Sequence, residues 1–345
     1  MIFSTSKEYK EYKKDGAIIY EYPYTKFLSP ALHKKRGLIP SVKAGIIPKL
    51  ELLGYSINTM KYLIRISKNY DVIHAHWFLP SGFFACLLKS KIKKPILTTA
   101  WGAEFHLSNN MLTRKFLNYV NTKSDCVVTP SNYMKVRANI YGLDVNRIDV
   151  IPNSTDLKMF SLKRKESDKI IIGTARRLVH EKRVQDLIMA FSKIKNINSE
   201  LWILGDGPEM DNLVNLSKKL KCVDKIKFLG MINHKEIPSY FSKMDICVNP
   251  SIQESMATIT MEAMSAGCVM VATDGCGNDE VITSGKDGFL YEGTNVNDLK
   301  NLLQKLVDNP DLRKSIRTNA IERAKFFSSD KIAERYRKFY IKLVN

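Results

Sequence analysis

Short apolar runs that resemble buried β-strands alternate with helix-forming segments along almost the whole chain of 345 residues. Strand-like runs such as residues 71–75, 95–99 and 126–129 are each followed by a segment with helical spacing. This alternation is typical of parallel sheets whose strands are joined by crossover helices. A chain of this length can build two such domains, each with its own core. We therefore predict an α/β fold with two doubly wound parallel sheets.

A polar and charged stretch interrupts the alternation near the middle of the chain. Residues 161–168 have the composition of a linker. A second series of strand and helix signals runs from residue 169 to about residue 328, and an amphipathic segment closes the chain. We predict an N-terminal domain at 1–157, a C-terminal domain at 158–329 and a terminal helix within 330–345.

Two carboxylates stand eight positions apart in a strand–loop–helix–strand pattern at residues 245–272. Glu254 falls in the loop before the predicted helix, and Glu262 falls within that helix. Open α/β sheets bind ligands at the carboxyl ends of their strands, where the first turn of a helix offers N–H groups to phosphate. The two acids could bind sugar hydroxyls beside such a phosphate. Ordinary surface contacts of a loop acid and a helix acid are the alternative.

A pair of basic residues follows the first strand of the C-terminal series. Arg177 and Lys182 are five positions apart, so a guanidinium fork and an ammonium group could meet on one diphosphate. Two solvated basic residues in a basic chain are the alternative. Gly205-Asp206-Gly207 does not continue as a dinucleotide fingerprint, because Met210 stands where the third glycine would be.

The chain carries a formal net charge of +19, most of it in the first half. Residues 1–155 contain 23 Lys and Arg against 10 Asp and Glu. The densest basic clusters are residues 34–36 and 89–94, and the second follows the apolar run 82–88. This arrangement suits an anionic membrane surface, and a lysine bias of the coding sequence is the alternative. No nucleic-acid partner is predicted, because no recognition module is found.

The chain has no apolar run long enough to span a membrane, and its first ten residues do not resemble a signal peptide. We therefore expect a cytoplasmic protein. The six cysteines are scattered without a C-x-x-C pair or histidines at metal-binding spacing. They are expected to be reduced residues of the core.

Several motifs in this sequence resemble those of family GT4, the retaining glycosyltransferases with the GT-B fold. The two glutamates resemble the E-x7-E motif of that family, and neighbouring motifs occur in the family's order. These are Arg176-Arg177-Leu178-Val179-His180-Glu181-Lys182 for G-R-L-x-x-x-K, Leu204-Gly205-Asp206-Gly207-Pro208, Phe228-Leu229-Gly230 and Pro250-Ser251. The resemblance covers nearly the whole chain and implies two Rossmann-like domains facing a cleft, with the last helix crossing back to the first domain.

The resemblance also implies an activity, the transfer of a hexose with retention from a UDP- or GDP-sugar, and roles for individual residues. Arg177 and Lys182 would stabilise the departing diphosphate, Glu254 would orient the donor sugar and Glu262 would hold the ribose diol. Further donor-binding residues would be Ser255, Met256, Ala257, Thr258, Gly205, Asn153 and Glu280. Asn153 belongs to a P-N-S-x-D turn, and Glu280 could instead cap its own helix. Neither a metal nor a cofactor is expected, because the chain contains no D-x-D motif.

In the first domain, residues at two predicted strand ends resemble the family's H-x-H and T-x-H-G-x-D motifs. His74 and His76 could be site residues or packed, satisfied histidines. His76, Trp101, Gly102 and Glu104 are the candidates for the acceptor and sugar side. Trp101 stands where many members have a histidine that contacts the donor sugar, and we do not transfer that role to His106.

Other departures from the family lie in the C-terminal domain and at the N-terminus. Arg176 and Arg183 replace common glycines and crowd the site. The first strand, glycine-rich loop and helix of the family are expected to be absent, since residues 1–4 already resemble the second strand. A catalytically silent or partner-dependent remnant is therefore the alternative function. Phosphorylase chemistry ranks lower, because no setting for a pyridoxal phosphate lysine is found.

Within the family, residues 15–30 and 74–82 are most similar to bacterial envelope polysaccharide enzymes such as the teichuronic acid glycosyltransferases. This similarity implies a glycan or lipid-linked acceptor. It also implies a peripheral position at the inner face of the plasma membrane. The sugar, the base of the nucleotide and the linkage do not follow from these motifs.

Overall fold

The computed structural model describes residues 2–6, 10–14, 16–23, 46–102, 104–105, 111–164, 168–195 and 198–345. The chain folds into two compact units. The first comprises Met1–Val128, Tyr141–Arg147 and Tyr340–Asn345, and the second comprises Thr129–Ile140 and Ile148–Phe339. The domain boundaries proposed above stay a prediction. The basic cluster 34–36, His106 and the central linker residues 165–167 lie outside the described residues.

Most strands within the described residues are short and rich in β-branched side chains, as buried parallel strands are. Their bounds are β1 Ile2–Ser6, β2 Lys10–Lys14, β3 Ala17–Pro23, β4 Ile73–His76, β5 Ile96–Thr99, β6 Cys126–Thr129, β7 Ile148–Val150, β8 Ile170–Ala175, β9 Ser199–Leu204, β10 Ile226–Gly230, β11 Ile246–Asn249, β12 Val269–Thr273 and β13 Phe289–Tyr291.

Helices follow most of these strands, in agreement with the predicted alternation. The α-helices of the described residues are α1 Ile46–Ser67, α2 Phe83–Leu87, α3 Lys89–Ile92, α4 Met111–Lys123, α5 Asn132–Ile140, α6 Leu157–Phe160, α7 Val184–Phe191, α8 Met210–Lys219, α9 Ile237–Phe241, α10 Thr258–Ser265, α11 Val296–Asp308, α12 Pro310–Ala324 and α13 Ser329–Val344. Shorter helical turns occur at Phe78–Gly82, Val145–Arg147, His180–Lys182, Val223–Lys225 and Lys325–Phe327.

The second unit is built on a parallel sheet of six strands in the order β10-β9-β8-β11-β12-β13. The chain adds strands on one side of β8 first and then returns to the other side with β11. The carboxyl ends of β8 and β11 therefore flank a topological switch point, where such sheets bind ligands. The predicted α/β fold class is confirmed.

Two hydrophobic clusters cover the two faces of this sheet. Ile172, Ile246 and Val271 belong to one cluster, whereas their neighbours along the strands, Ile171 and Cys247, belong to the other. Successive side chains of a strand point to opposite faces, which explains this division. Because both faces are buried, each central strand is a continuous apolar run, and this is why its position could be read from the sequence.

In the first unit, β4 pairs in parallel with β5, and β5 pairs in parallel with β6. A separate sheet has the order β1-β3-β2, with β1 parallel and β2 antiparallel to β3. The sequence did not predict β2. All five of its side chains are exposed, so it carries no apolar pattern.

No helix in the described part of the chain is both long and apolar enough to cross a membrane. All six cysteines are free thiols, and all except Cys126 are buried. Burial raises the pKa of the Cys247 thiol to about 12. The Cys247 thiol is therefore a protonated residue of the core, as thiols in apolar surroundings are.

Candidate functional site

The loop between β11 and α10 is held by a network of buried polar side chains. The Asn249 amide donates to Thr260 Oγ1 at 3.3 Å and to Asn278 Oδ1 at 3.2 Å, and its carbonyl oxygen accepts from the Ser251 N–H. Asn278 in turn donates to the Thr273 carbonyl, and the Thr273 hydroxyl donates to the Ser251 carbonyl at 2.6 Å. Such a connected network fixes the loop in one conformation. Ser251 belongs to a motif found in the sequence, whereas Asn249, Thr260 and Thr273 were not predicted. A polar residue that ends an apolar strand was the available signal for Asn249 and Thr273.

The helix α10 begins without a side-chain cap. Its N-cap residue, Ala257, has no side-chain oxygen, and no described residue supplies a capping side chain. The first N–H groups of a helix have no acceptors within the helix, and they carry the positive end of its dipole. This first turn, which begins with exposed Thr258, can therefore bind an anion.

Two side chains hold the carbonyl groups just before α10. The Ser131 hydroxyl donates to the Ser255 carbonyl at 2.5 Å, and the Asn153 amide donates to the Met256 carbonyl at 2.8 Å. Gly277 packs against the same loop, since a Cβ atom there would lie 2.6 Å from the Ser255 oxygen. Asn153 thus positions the predicted donor loop through the backbone of Met256.

Glu254 lies against two cations. Its Oε1 is 2.6 Å from Lys182 Nζ and 3.9 Å from Arg176 Nη1. The Arg176 side chain is only 4% exposed, and its Nη1 has no hydrogen-bond partner among the described residues. Burial lowers the pKa of Arg176, and the charge of Glu254 opposes this effect. Two of the predicted site residues, Lys182 and Glu254, are therefore in direct contact.

Arg177, the other predicted basic residue, is exposed beside this cluster. Within the described part of the chain its side chain has no hydrogen-bond partner.

Arg183, which like Arg176 replaces a glycine of the family motif, adopts the left-handed conformation with φ 52°. Its guanidinium forms a two-bond pair with buried Asp186, at 2.8 and 3.0 Å. This pairing offsets the cost of the conformation, which is about 1–2 kcal/mol.

The second acid of the motif, Glu262, is on α10 and mostly buried. Its Oε1 is 3.1 Å from Nε2 of His234, which lies in the segment between β10 and α9. The His234 ring packs edge-on against Phe160, with ring centroids 5.7 Å apart. His234 was not predicted, because only the fold brings this segment next to α10.

Gly205 and Gly207 pack against the segment that carries the arginines. A Cβ atom on Gly205 would lie 1.8 Å from the Arg176 oxygen, and one on Gly207 would lie 2.2 Å from the Leu178 oxygen. The Arg176 N–H also donates to Leu204, and the Leu178 N–H donates to Asp206. In this structure Gly205 positions the backbone of Arg176.

Glu280 caps a helix, although not its own. Its carboxylate accepts from the backbone N–H groups of Asn132 and Tyr133, both at 2.9 Å, at the start of α5. Gly275 and Gly277, in the loop before it, have φ of 81° and 73°. Positive φ at these glycines is a conformation that residues with a Cβ rarely adopt. A donor-binding role for Glu280 stays a prediction.

The predicted residues of the first unit lie at the ends of β4 and β5. His74 is satisfied, with Nδ1 2.7 Å from the Tyr340 hydroxyl and Nε2 2.8 Å from Thr99 Oγ1. Burial and the neighbouring His76 lower the pKa of His74 to about 3, so it is neutral. His76 stacks on Trp101 with ring centroids 5.8 Å apart, and partial burial lowers its pKa.

Glu104 joins the two segments that follow these strands. It is buried, and its Oε1 accepts from the N–H groups of Phe78 and Trp101 at 3.3 and 3.0 Å. Burial raises the pKa of this carboxyl group, and these backbone hydrogen bonds oppose the shift. Gly102, which lies between Trp101 and Glu104 in the chain, has φ of 101°. Glu104 therefore fixes the loop that presents Trp101.

Groups of three or more His, Cys, Asp or Glu that could hold a metal ion do not occur among the described residues. The expectation that the reaction needs no metal or cofactor stays a prediction. The positive charge beside Glu254 comes from the side chains of Lys182 and Arg176.

Comparison with known proteins identifies the family. The model described as glycosyl transferases group 1 matches residues 156–323, and the model described as glycosyltransferase family 4 matches residues 23–159. An uncharacterized glycosyltransferase of Methanocaldococcus jannaschii is 31% identical over 303 residues, which are 86% of this chain and 83% of that protein.

Two solved structures show the same fold. Sucrose-phosphate synthase from Thermosynechococcus elongatus matches with a TM-score of 0.79 at 19% identity, over 96% of this chain and 84% of that chain. Anabaena HepE in complex with UDP and glucose matches with a TM-score of 0.74 at 18% identity, over 87% of this chain and 84% of that chain. The chain belongs to the group 1 glycosyltransferases of the GT4 type and has their GT-B fold.

Proposed function

We propose that the chain transfers a hexose from a UDP- or GDP-sugar, with retention, to a glycan or lipid-linked acceptor of the cell envelope. One observation carries the proposal: the uncapped first turn of α10 lies between Glu254 and Glu262 in the sequence, and Lys182 contacts Glu254. A nucleotide-sugar carries a diphosphate between two groups rich in hydroxyls. The arrangement offers N–H groups to the diphosphate and a carboxylate for the hydroxyls on each side.

The diphosphate would bind at the first turn of α10. The carbonyl groups of Ser255 and Met256 are already held by Ser131 and Asn153, so ordering this loop adds little entropic cost when a ligand binds. Lys182 and exposed Arg177 would add positive charge as the bond to the sugar breaks. Preorganised charge of this kind supplies most of the rate enhancement in many enzymes.

Glu254 and Glu262 would bind the two sugar rings of the donor. A carboxylate accepts hydrogen bonds from hydroxyl groups and donates none, so each acid suits a diol. Glu254 would orient the transferred hexose, and Glu262 would hold the ribose after exchanging its contact with His234. The UDP named in the HepE structure supports a nucleotide-sugar donor for a chain of the same fold.

Retention follows if the acceptor hydroxyl attacks from the face that the diphosphate leaves. Such a step needs little side-chain base chemistry, because the departing diphosphate can accept the proton of the hydroxyl. The chain would then hold both substrates and stabilise the developing charge. His76, Trp101, Gly102 and Glu104 are the proposed residues on the acceptor and sugar side.

A surface on the first unit supports an acceptor at a membrane. Exposed apolar side chains project from α2 and α4, and the ring of Phe83 joins the two helices by packing 5.1 Å from that of Phe116. The helices α2, α3 and α4 contain no acidic residue. We define the basic–apolar surface by its exposed members, which are Leu87, Lys91, Lys93, Met111, Leu112, Lys115 and Phe116. Anionic lipid would attract these lysines while the apolar side chains insert.

Calorimetric titration of UDP and GDP into the purified chain tests the donor site. We expect one nucleotide to bind, and Glu262→Ala to weaken binding about 10- to 100-fold, because hydrogen bonds to a charged group contribute about 1.5–3 kcal/mol. Glu322→Ala is the matched control, since Glu322 is exposed and pairs with Lys325 on the surface. A folded sample that binds neither nucleotide would refute the proposal and favour the catalytically silent remnant.

Vesicle flotation tests the membrane surface. We expect the chain to bind phosphatidylglycerol vesicles and not phosphatidylcholine vesicles. The double variant Lys91→Glu and Lys93→Glu should lose this binding, since each basic residue contributes about 1 kcal/mol near an anionic surface. Lys218→Glu with Lys219→Glu is the control, because both side chains are exposed on α8 of the second unit. Equal loss in the two double variants would contradict a localised surface.

A further inference from the structure

Arg176 combines a buried charge with an unused donor. It follows β8 directly, at the switch point of the sheet, and its Nε donates to Thr174 Oγ1 at 3.1 Å. The guanidinium is almost fully buried, and its Nη1 has no hydrogen-bond partner in the described part of the chain. A buried donor without an acceptor is destabilising unless a change of state gives it one.

The backbone around Arg176 leaves its side chain little freedom to move away. Its N–H donates to the Leu204 carbonyl at 2.8 Å, and its own carbonyl lies against Gly205, where no Cβ would fit. The unused Nη1 is held 3.9 Å from Glu254 Oε1, slightly beyond hydrogen-bond distance. A small movement of either side chain would form the hydrogen bond.

The same carboxylate oxygen is occupied by Lys182. The ammonium group is 2.6 Å from Glu254 Oε1, and it cannot bind a diphosphate strongly while it keeps this contact. If Lys182 leaves, Glu254 loses its hydrogen-bonded counter-ion while remaining mostly buried. Leaving a buried carboxylate unpaired is costly. A second cation beside Glu254 would remove this penalty.

We propose that Arg176 is a positioning residue that replaces Lys182 on Glu254 when the donor binds. Lys182 Nζ moves to the diphosphate, and Arg176 Nη1 donates to the Glu254 oxygen that Lys182 has left. Glu254 thereby keeps a counter-ion and stays directed towards the donor sugar throughout. This inference rests on the proposed function, and it adds a residue whose position is a glycine in the motif that the chain resembles.

The exchange makes a specific prediction for UDP binding measured by calorimetry. Arg176→Gln leaves Glu254 without a counter-ion once Lys182 departs, so UDP affinity should fall about 10-fold or more. Adding Glu254→Gln removes the carboxylate that needs a partner. The double variant should therefore bind UDP within about twofold of Glu254→Gln alone.

The other outcomes would overturn the exchange. If Arg176 contacts the diphosphate itself, Arg176→Gln will weaken UDP binding equally in both backgrounds. If Arg176 is only structural, the variant will melt at a lower temperature while the folded protein keeps its UDP affinity. Arg176→Lys retains a charge and should lose less affinity than Arg176→Gln, which provides a second variant if the glutamine form does not fold.

A matched control removes the same charge elsewhere. Arg313 on α12 donates to the carbonyls of Leu306 and Val307, and Arg313→Gln should leave UDP affinity unchanged. A folded wild-type chain that binds neither UDP nor GDP would refute the proposed function. If the wild-type chain binds UDP but Arg176→Gln weakens binding as much in the Glu254→Gln background as in the wild type, only the exchange would be refuted.

Discussion

Gly205 offers a direct test of the packing beneath the site. It has φ of 129°, and a Cβ atom there would lie 1.8 Å from the Arg176 carbonyl oxygen and 2.8 Å from the carbonyl carbon. Contacts under 3.0 Å require atoms to shift, and both of these atoms belong to the backbone. Gly205→Ala must therefore displace one of the two segments that meet there.

The size of the effect follows from what would be lost. An alanine at this φ costs about 1–3 kcal/mol in backbone strain. The displacement would also break the hydrogen bond from the Arg176 N–H to Leu204, or the one from the Gly205 N–H to Gly230, at about 0.5–1.5 kcal/mol each. Strain plus one broken hydrogen bond gives an expected loss of about 1.5–4.5 kcal/mol in the free energy of unfolding of the second unit.

Thermal and urea unfolding followed by circular dichroism would measure this loss. The unfolding midpoint of a unit of this size shifts by about 2–4 °C per kcal/mol, so it should fall by roughly 3–18 °C. The control is Gly285→Ala, because Gly285 has φ of 80° and no atom within 4 Å of its ideal Cβ position. It should lose only about 1–2 kcal/mol, from the conformation alone. Equal losses for the two variants would refute the packing argument.

Three further predictions concern individual side chains. The pKa of His74 in the folded chain is about 3, below its ordinary value of 6.5, so the wild-type chain should lose stability as the pH falls from about 6.5 towards 3. His74→Gln should reduce this pH dependence of the free energy of unfolding, measured by urea unfolding between pH 4 and 7. Asn153→Ala leaves the Met256 carbonyl without its 2.8 Å donor and should weaken UDP binding about 5- to 10-fold in calorimetry, whereas unchanged affinity would contradict a positioning role. Glu280→Gln should destabilise the second unit by about 1 kcal/mol through loss of the charged cap of α5, as thermal unfolding can measure, and an unchanged midpoint would argue against that cap.

The parallel strands could be predicted because burial on both faces makes them continuous apolar runs. The strand β6 has the predicted bounds, and β5 differs from the prediction by a single residue at one end. The exposed strand β2 could not be predicted, since pairing with β3 stabilises it rather than an apolar pattern of its own. Antiparallel pairing beside a parallel strand also departs from the regular alternation.

The positions of the two site glutamates could be predicted from the sequence, whereas most side-chain contacts of the site could not. The spacing of Glu254 and Glu262 placed both around the start of α10, and the structure agrees with that placement. Which of Arg176 and Arg177 is buried depends on side-chain directions at the end of β8, and the motif alone did not reveal it. Long-range partners such as Glu280 with α5 and His234 with Glu262 depend on the fold and leave no local pattern.

The hydrogen bonds from Ser131 and Asn153 have a consequence for exchanging parts between related enzymes. Both residues belong to the second unit, yet both precede residue 157 in the chain. In a chimaera joined at residues 157 and 158, the Ser255 and Met256 carbonyls would come from one enzyme. The residues at positions 131 and 153, which donate hydrogen bonds to them here, would come from the other enzyme. Donor preference should therefore transfer completely only when the grafted piece also includes residues 129–140 and 148–157. The residues that must be transferred together in such an exchange are therefore not contiguous in the chain.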